Sequence, residues 1–133
     1  MAAGTYNFTI EQGVTNKFEV AYQDGNGDPH DLTDYRARMQ IRDKVGGSTV
    51  HLTLSSSLDA SGTGLNMSGS NGTNPPVSGT IGVYIAAVTS SLLDFNSAVY
   101  DLEIASGSGD TVTVVRLLQG KVKLSKEITQ GAY

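Results

Sequence analysis

The sequence has no cysteine and no tryptophan, only three prolines, and aromatics at 7%. Without cysteine there is no disulfide framework and no thiolate metal site, and the redox compartment leaves no trace. Secreted animal modules of this size usually carry disulfides, so that class is disfavoured. No segment approaches the roughly 20 apolar residues needed to cross a bilayer. The start, Met1-Ala-Ala-Gly-Thr5, lacks the basic residues and apolar run of a secretory signal. The expectation is a soluble product made and retained inside the cell, with no membrane partner.

What is present fits one small domain spanning residues 1–133, with 38% hydrophobic residues and hence a thin core. Sixteen glycines point to many turns. The net charge of −4 argues against a nucleic-acid binder, which needs surplus Lys and Arg to displace counterions.

Apolar residues alternate with polar ones in segment after segment, the period-two signature of strands with one buried face. Tyr6, Phe8 and Ile10 form one such series, and Phe18, Val20 and Tyr22 a second. The cleanest is Tyr35, Ala37, Met39 and Ile41, interleaved with Arg36, Arg38, Gln40 and Arg42. Val50, Leu52 and Leu54 follow, with His51 and Thr53 assigned to the outer face. Residues 55–79 are rich in Ser, Gly, Asn and Thr and read as a flexible loop, interrupted by a short strand at Gly64–Met67. Thr80–Ile85 is a further strand, and Ala86–Phe95 is the one helical candidate, a short connecting helix. Ala98–Ile104 and Thr111–Leu118 pair through Ser106-Gly-Ser-Gly109, and the last strand continues through Val122 and Leu124 with a bend or bulge expected at Gly120. Short strands at roughly ten-residue spacing predict an all-β sandwich or barrel of antiparallel sheets.

Charge is distributed unevenly along the chain. Asp24, Asp28, Asp31 and Asp34 cluster near one turn; Arg36, Arg38, Arg42 and Lys44 follow, and Arg116, Lys121, Lys123 and Lys126 crowd the end. Two readings stand: pairing between oppositely charged neighbours on adjacent strands, and a charged contact surface for another protein. The residues singled out for the second are Arg36, Arg38, Arg42, Lys121 and Lys123, with Tyr133 as a terminal side chain that would need something to dock on.

Chemistry is harder to find. Asp24-Gly-Asn-Gly-Asp28 imitates the first half of a calcium loop, yet Pro29 stands where such a loop needs Gly and Tyr35 where it needs a closing Glu, so a hairpin turn is the better reading. His30 and His51 lack metal-ligand spacing. No Ser lies in a Gly-x-Ser-x-Gly elbow, and no Gly-rich loop precedes a helix with Lys-Ser/Thr. Asp101 and Glu103 share one strand face, which suits pairing with cations on the next strand better than the opposed carboxylates of a glycosidase. The six tyrosines fall mostly on apolar phases, favouring core membership over a sugar-stacking platform. The expectation is no enzyme and no cofactor.

Four segments in order carry a resemblance: Phe8-Thr-Ile-Glu-Gln-Gly13, Asp31-Leu-Thr-Asp-Tyr-Arg-Ala-Arg-Met-Gln-Ile-Arg42, Tyr100-Asp-Leu-Glu-Ile104, and Arg116-Leu-Leu-Gln-Gly-Lys-Val-Lys-Leu-Ser-Lys-Glu-Ile-Thr129. Together they resemble small structural proteins of tailed phages, in particular the N-terminal domain of upper-baseplate proteins. The resemblance implies an immunoglobulin-like antiparallel β-sandwich, located in the virion, that works by docking to other virion proteins as a homo-oligomer, with no catalytic residues to carry over. The chain stops after the domain, and its 55–79 segment is longer and richer in Ser and Gly than the resemblance leads one to expect. Both departures favour an adaptor, fibre-attachment or decoration role over a receptor-binding one, and the tail, baseplate or fibre junction is the leading address. A head decoration or cement protein and a carbohydrate-binding module, with a receptor glycan as partner, are the alternatives.

Overall fold

The computed structural model describes residues 4–23, 26–69 and 78–129. The chain forms β1 (Gly4–Thr5), β2 (Phe8–Glu11), β3 (Asn16–Ala21), β4 (Arg36–Arg42), β5 (Val50–Ser55), β6 (Gly64–Asn66), β7 (Thr80–Ile85), a single helical turn α1 (Ala87–Ser90), β8 (Ser97–Ser106) and β9 (Thr113–Ser125). A 3-10 turn at Gly109–Thr111 reverses the chain between β8 and β9. The helical candidate is thus one turn long. Its polar residues are engaged elsewhere than in extending the helix: the Ser91 hydroxyl donates to the Val88 carbonyl, that of Ser90 to the Val14 carbonyl as well as to Ala87, and that of Thr89 meets the Thr63 hydroxyl.

Two sheets make an all-β sandwich. The larger has the order β1-β9-β8-β4-β5, with β2 continuing β1 along β9, and the smaller has the order β3-β7-β6. This distribution, with β3, β7 and β6 in one sheet and β9, β8, β4 and β5 in the other beside the first strands, is the immunoglobulin-like pattern. One expectation is corrected. The larger sheet is mixed, because β1 and β2 run parallel to β9, pairing Gly4 with Leu118 and Phe8 with Val122. The turn after β2 therefore carries the chain across to the other sheet instead of closing a hairpin. Gly13 makes that turn at φ +78°, and a Cβ there would collide with the Glu127 side chain.

Alternation places the core. Met39 and Ile41 from β4, Leu102 and Ile104 from β8, and Ile81, Val83 and Ile85 from β7 are each at most 1% exposed and form one cluster with Ile10, Leu54, Leu65 and Val122. Each such side chain contributes about 1.5–3 kcal/mol on removal from water, which is how a chain with few aromatics supports two sheets.

The irregularity expected at Gly120 lies elsewhere. The register shift falls between Leu102 and Glu103, leaving Leu117 as the extra residue on β9, whereas Gly120 pairs regularly with Tyr100. Gly120 is needed for a different reason: the Tyr6 carbonyl and the Asn7 side chain pass so close that a Cβ would strike them. Tyr100, 5% exposed, donates its hydroxyl to that same Tyr6 carbonyl at 2.5 Å, and the Lys121 amide donates to Asn7 Oδ1 at 2.8 Å. The link between β1 and β2 is stitched to the β8–β9 ladder at this point.

Within the segment read as a loop, Gly64–Asn66 forms the expected short strand against β7. Asp59 organises the approach to it, accepting bonds from the amides of Ser61 and Thr63 and the Ser61 hydroxyl. These bonds, the Ser61 hydroxyl foremost, hold its carboxyl below the ordinary carboxylate value. The buried Thr63 hydroxyl then accepts from the Ala86 amide at 2.9 Å, tying this segment to the start of α1. The rest of the segment, residues 70–77, lies outside the described residues.

Candidate protein-interaction surface

The outer face of the larger sheet follows from the same alternation that builds the core. Register sets Arg38 beside Glu103, Gln40 beside Asp101 and Arg42 beside Val99; across the other seam it sets Glu103 beside Arg116, Asp101 beside Gln119 and Val99 beside Lys121. Of the nine Lys and Arg in the chain, Arg36, Arg38, Arg42, Arg116, Lys121 and Lys123 lie on these strands' outward positions, and Lys44 stands on the β4–β5 hairpin beside them. Asp101 and Glu103 on β8, and Glu11 at the end of β2 beyond Lys123, are the acidic residues at outward strand positions of this face. A protein of net charge −4 thus presents one cationic face.

The face is hollowed into an open trough of about 890 Å³. Gln40, Val99 and Asp101 lie along its middle, Lys44, Val45 and Gly46 of the β4–β5 hairpin border one side, and Thr5, Asn7 and Lys121 the other. Val45 is 90% exposed at that border.

The cations differ in their freedom. Arg38 Nε meets Glu103 Oε1 at 2.9 Å and Arg116 Nε meets Asp101 Oδ2 at 3.3 Å, a diagonal pair. These are the cross-strand pairs the spacing of Asp101 and Glu103 predicted. Each is exposed enough to contribute about 1 kcal/mol or less, so their effect is chiefly to orient the guanidinium groups. Arg36 donates to the Gly107 carbonyl, and Arg42 donates to the Gln40 side chain and the Gly47 carbonyl, so both brace neighbouring turns. Lys121 and Lys123 are exposed and make no ion pair among the described residues. Tyr133 lies outside the described residues.

Asp101 sits where these influences compete. Burial and the nearby Glu103 raise its pKa above the ordinary carboxylate value, against the opposing pull of Arg116, Arg38 and Arg42. Away from Asp101 and Glu103, the Arg, Lys, Asn and Gln donors around the trough suit an acidic side chain by Coulomb attraction and hydrogen bonding.

The other candidates scatter. His51 does not stand out from the sheet as alternation had it: a register shift opposite Ile41–Arg42 leaves it unpaired, and its ring stacks on Phe95 at 4.6 Å. His30 lies between Tyr22 and Tyr35, at 4.6 and 5.5 Å. The calcium-like stretch is only partly described, since Asp24 and Gly25 lie outside; Gln23 and Pro29 bridge across it as a hairpin turn would. Among the tyrosines, Tyr100 is core and Tyr22 and Tyr35 pack against the core, but Tyr6 is 46% exposed, contrary to its apolar phase. The break between β1 and β2 rotates it outward, where it contacts Phe8 and Phe18.

Lys44 and Arg116 stand in the charge clusters of the sequence without being singled out as contact residues, and Thr5 and Asn7 carry no signal for this surface at all. Lys44 needed the hairpin to be placed, and Thr5 and Asn7 needed the parallel pairing with β9, for which local alternation holds no signal. No protein-family model matches the chain, and no curated protein matches it.

Proposed function

We propose that this protein is a structural component of a tailed-phage virion, at the tail, baseplate or fibre junction, and that it works by docking to other virion proteins through the cationic face of its larger sheet. The observation that carries the docking surface is the segregation of charge: seven of the nine basic residues, Arg36, Arg38, Arg42, Lys44, Arg116, Lys121 and Lys123, gather on and beside one sheet face while the molecule as a whole is acidic. Such a face steers an acidic partner into register and disfavours cationic ones. The address in the virion is supported by the ordered resemblance of four segments to phage structural proteins. On this reading the protein catalyses nothing and needs no cofactor; its partners are proteins rather than nucleic acid or membrane.

A head decoration or cement protein would use the same face at another address. A carbohydrate-binding role has one specific feature in its favour, the half-exposed ring of Tyr6 beside Phe8 and Phe18.

The test is incorporation. Purified particles are fractionated into heads and tails, and the chain is sought in each by mass spectrometry, with Arg38→Glu supplied in parallel. The expected outcome is wild-type protein in the tail fraction and several-fold less of the folded variant. Protein in the head fraction moves the address to decoration. Absence from particles overturns the virion reading, and normal incorporation of Arg38→Glu overturns the role of the face. Glycan binding by the isolated protein that is lost in Tyr6→Ala would favour the carbohydrate reading instead.

A further inference from the structure

Sheet edges expose rows of unpaired N–H and C=O groups, and proteins blunt them with charge, proline, interruption or shortness. Three edges here carry such devices. β6 is three residues long, the β1–β2 edge is interrupted at Tyr6–Asn7, and β3 presents Lys17 and Glu19. The edge strand β5 differs: Val50-His-Leu-Thr-Leu-Ser55 contains no Asp, Glu, Lys, Arg or Pro. Beyond its ladder with β4, its backbone makes no backbone hydrogen bond among the described residues. The register shift in that ladder touches only the Val50 end, and positions 52–55 pair regularly.

We infer that β5 pairs antiparallel with β5 of a second copy of this chain, across a two-fold axis at Thr53. Partner residues in an antiparallel ladder share a face, so a two-fold axis normal to the sheet must set one residue opposite itself. Centring on Thr53 uses the regular stretch of the strand. It sets Thr53 opposite the partner's Thr53 on the outer face, a favourable cross-strand pair, and Leu52 opposite the partner's Leu54 on the inner face. Centring on Leu52 would instead draw in the shifted Val50 end.

Charge permits this contact. The outward residues of β5 at the seam are Thr53 and Ser55, and the nearest sheet cations, Arg38 and Arg42, stand one strand further in on β4. The two β4 strands would lie three strand spacings apart, about 14 Å, beyond the screening length of about 8 Å at physiological salt. The two cationic troughs then lie side by side on one continuous sheet, a doubled surface for the same kind of acidic partner. A contact confined to one short edge is smaller than a standard stable interface, so the pair is weak in dilute solution and firm where copies are concentrated. The pairing is independent of the virion reading, and a dimer in solution would stand even if the chain proved absent from particles.

The chain's lack of cysteine makes the test direct. In Thr53→Cys the two thiols face each other with Cα atoms about 4.5–5.5 Å apart, within the span a disulfide bridges. In Ser55→Cys the mates are four residues out of step, roughly 13 Å apart. Under mild oxidation Thr53→Cys is expected to form covalent dimers about ten-fold faster or more, through its higher effective concentration. Sedimentation of the wild type should show the mass rising with concentration from 13.9 kDa toward its double, and Thr53→Lys, which opposes two ammonium groups on the axis, should abolish the rise. Thr53 is exposed, so circular dichroism of each variant should match wild type. Equal trapping at positions 53 and 55, or a dimer that survives Thr53→Lys, overturns the pairing.

Discussion

The two faces of the larger sheet share every strand and every hydrogen bond, yet they have opposite characters. On β8, Tyr100, Leu102 and Ile104 are buried, while Asp101 and Glu103 between them hold Arg116 and Arg38. On β4, Met39 and Ile41 are wholly buried, and Arg38 and Arg42 are not. The inner face supplies cohesion, and the outer face carries the charges on which the proposed docking rests. Substitutions one residue apart should therefore affect either stability or docking, but seldom both.

The largest effect is expected at Tyr100→Ala. It removes a core ring and the bond to the Tyr6 carbonyl, and should cost about 3–5 kcal/mol, read as a lowered urea midpoint. A variant as stable as wild type would show that the ring does not hold the two sheets to the β1–β2 link. Gly120→Ala comes next, because its new Cβ strikes the Tyr6 carbonyl and Asn7. Overpacking of this kind costs about 1–3 kcal/mol, and hydrogen exchange should show lost protection in β1 and β2 while the β4–β8 ladder stays protected.

Tyr100 also sets an alkaline limit. Burial, aided by the neighbouring Tyr6, raises its hydroxyl pKa to about 12. The folded state then keeps a proton that the unfolded state releases from about pH 10 upward, so stability falls as pH rises through that window, by up to about 1.4 kcal/mol per pH unit. Tyr100→Phe should lose about 1 kcal/mol at neutral pH from the missing hydrogen bond and should abolish the alkaline decline attributable to this group. An unchanged decline would assign it to another residue.

The smallest effect lies on the outer face. Because the pKa of Asp101 is raised in the folded state, the folded protein binds more protons than the unfolded chain just above the ordinary carboxylate range, and stability falls as pH rises through it. Asp101→Asn should flatten that slope while changing the neutral-pH stability by about 1 kcal/mol or less. Urea unfolding at several acidic pH values checks this, and a slope as steep as that of wild type would locate the titration elsewhere.

Local pattern and fold agree best where one residue's fate depends on its immediate neighbours. The alternation of Tyr35–Arg42 correctly divides buried from outward positions on β4, and the Asp101/Glu103 spacing anticipates pairs with Arg on flanking strands. The pattern misleads where the backbone departs from a regular ladder. Tyr6 shares a phase with Phe8 but falls in the break before β2, and His51 falls opposite a register shift. Gly120 reads as a bulge, but its lack of a side chain serves the passage of a strand more than a hundred residues earlier in the chain.

The sequence by itself determined that the chain is built of strands, which side of most strands is apolar, and that its basic residues concentrate on two of them. Period-two burial is a local property, carried by residues two positions apart. Only the tertiary structure decided that these two strands flank β8 on one sheet, so that Arg38, Arg42, Arg116 and Lys121 share a trough. It also decided that the first strands run parallel to the last, and that β5 is left as an uncharged edge. Strand order and direction arise from contacts between residues far apart in the chain, and alternation is the same whichever neighbour a strand finds.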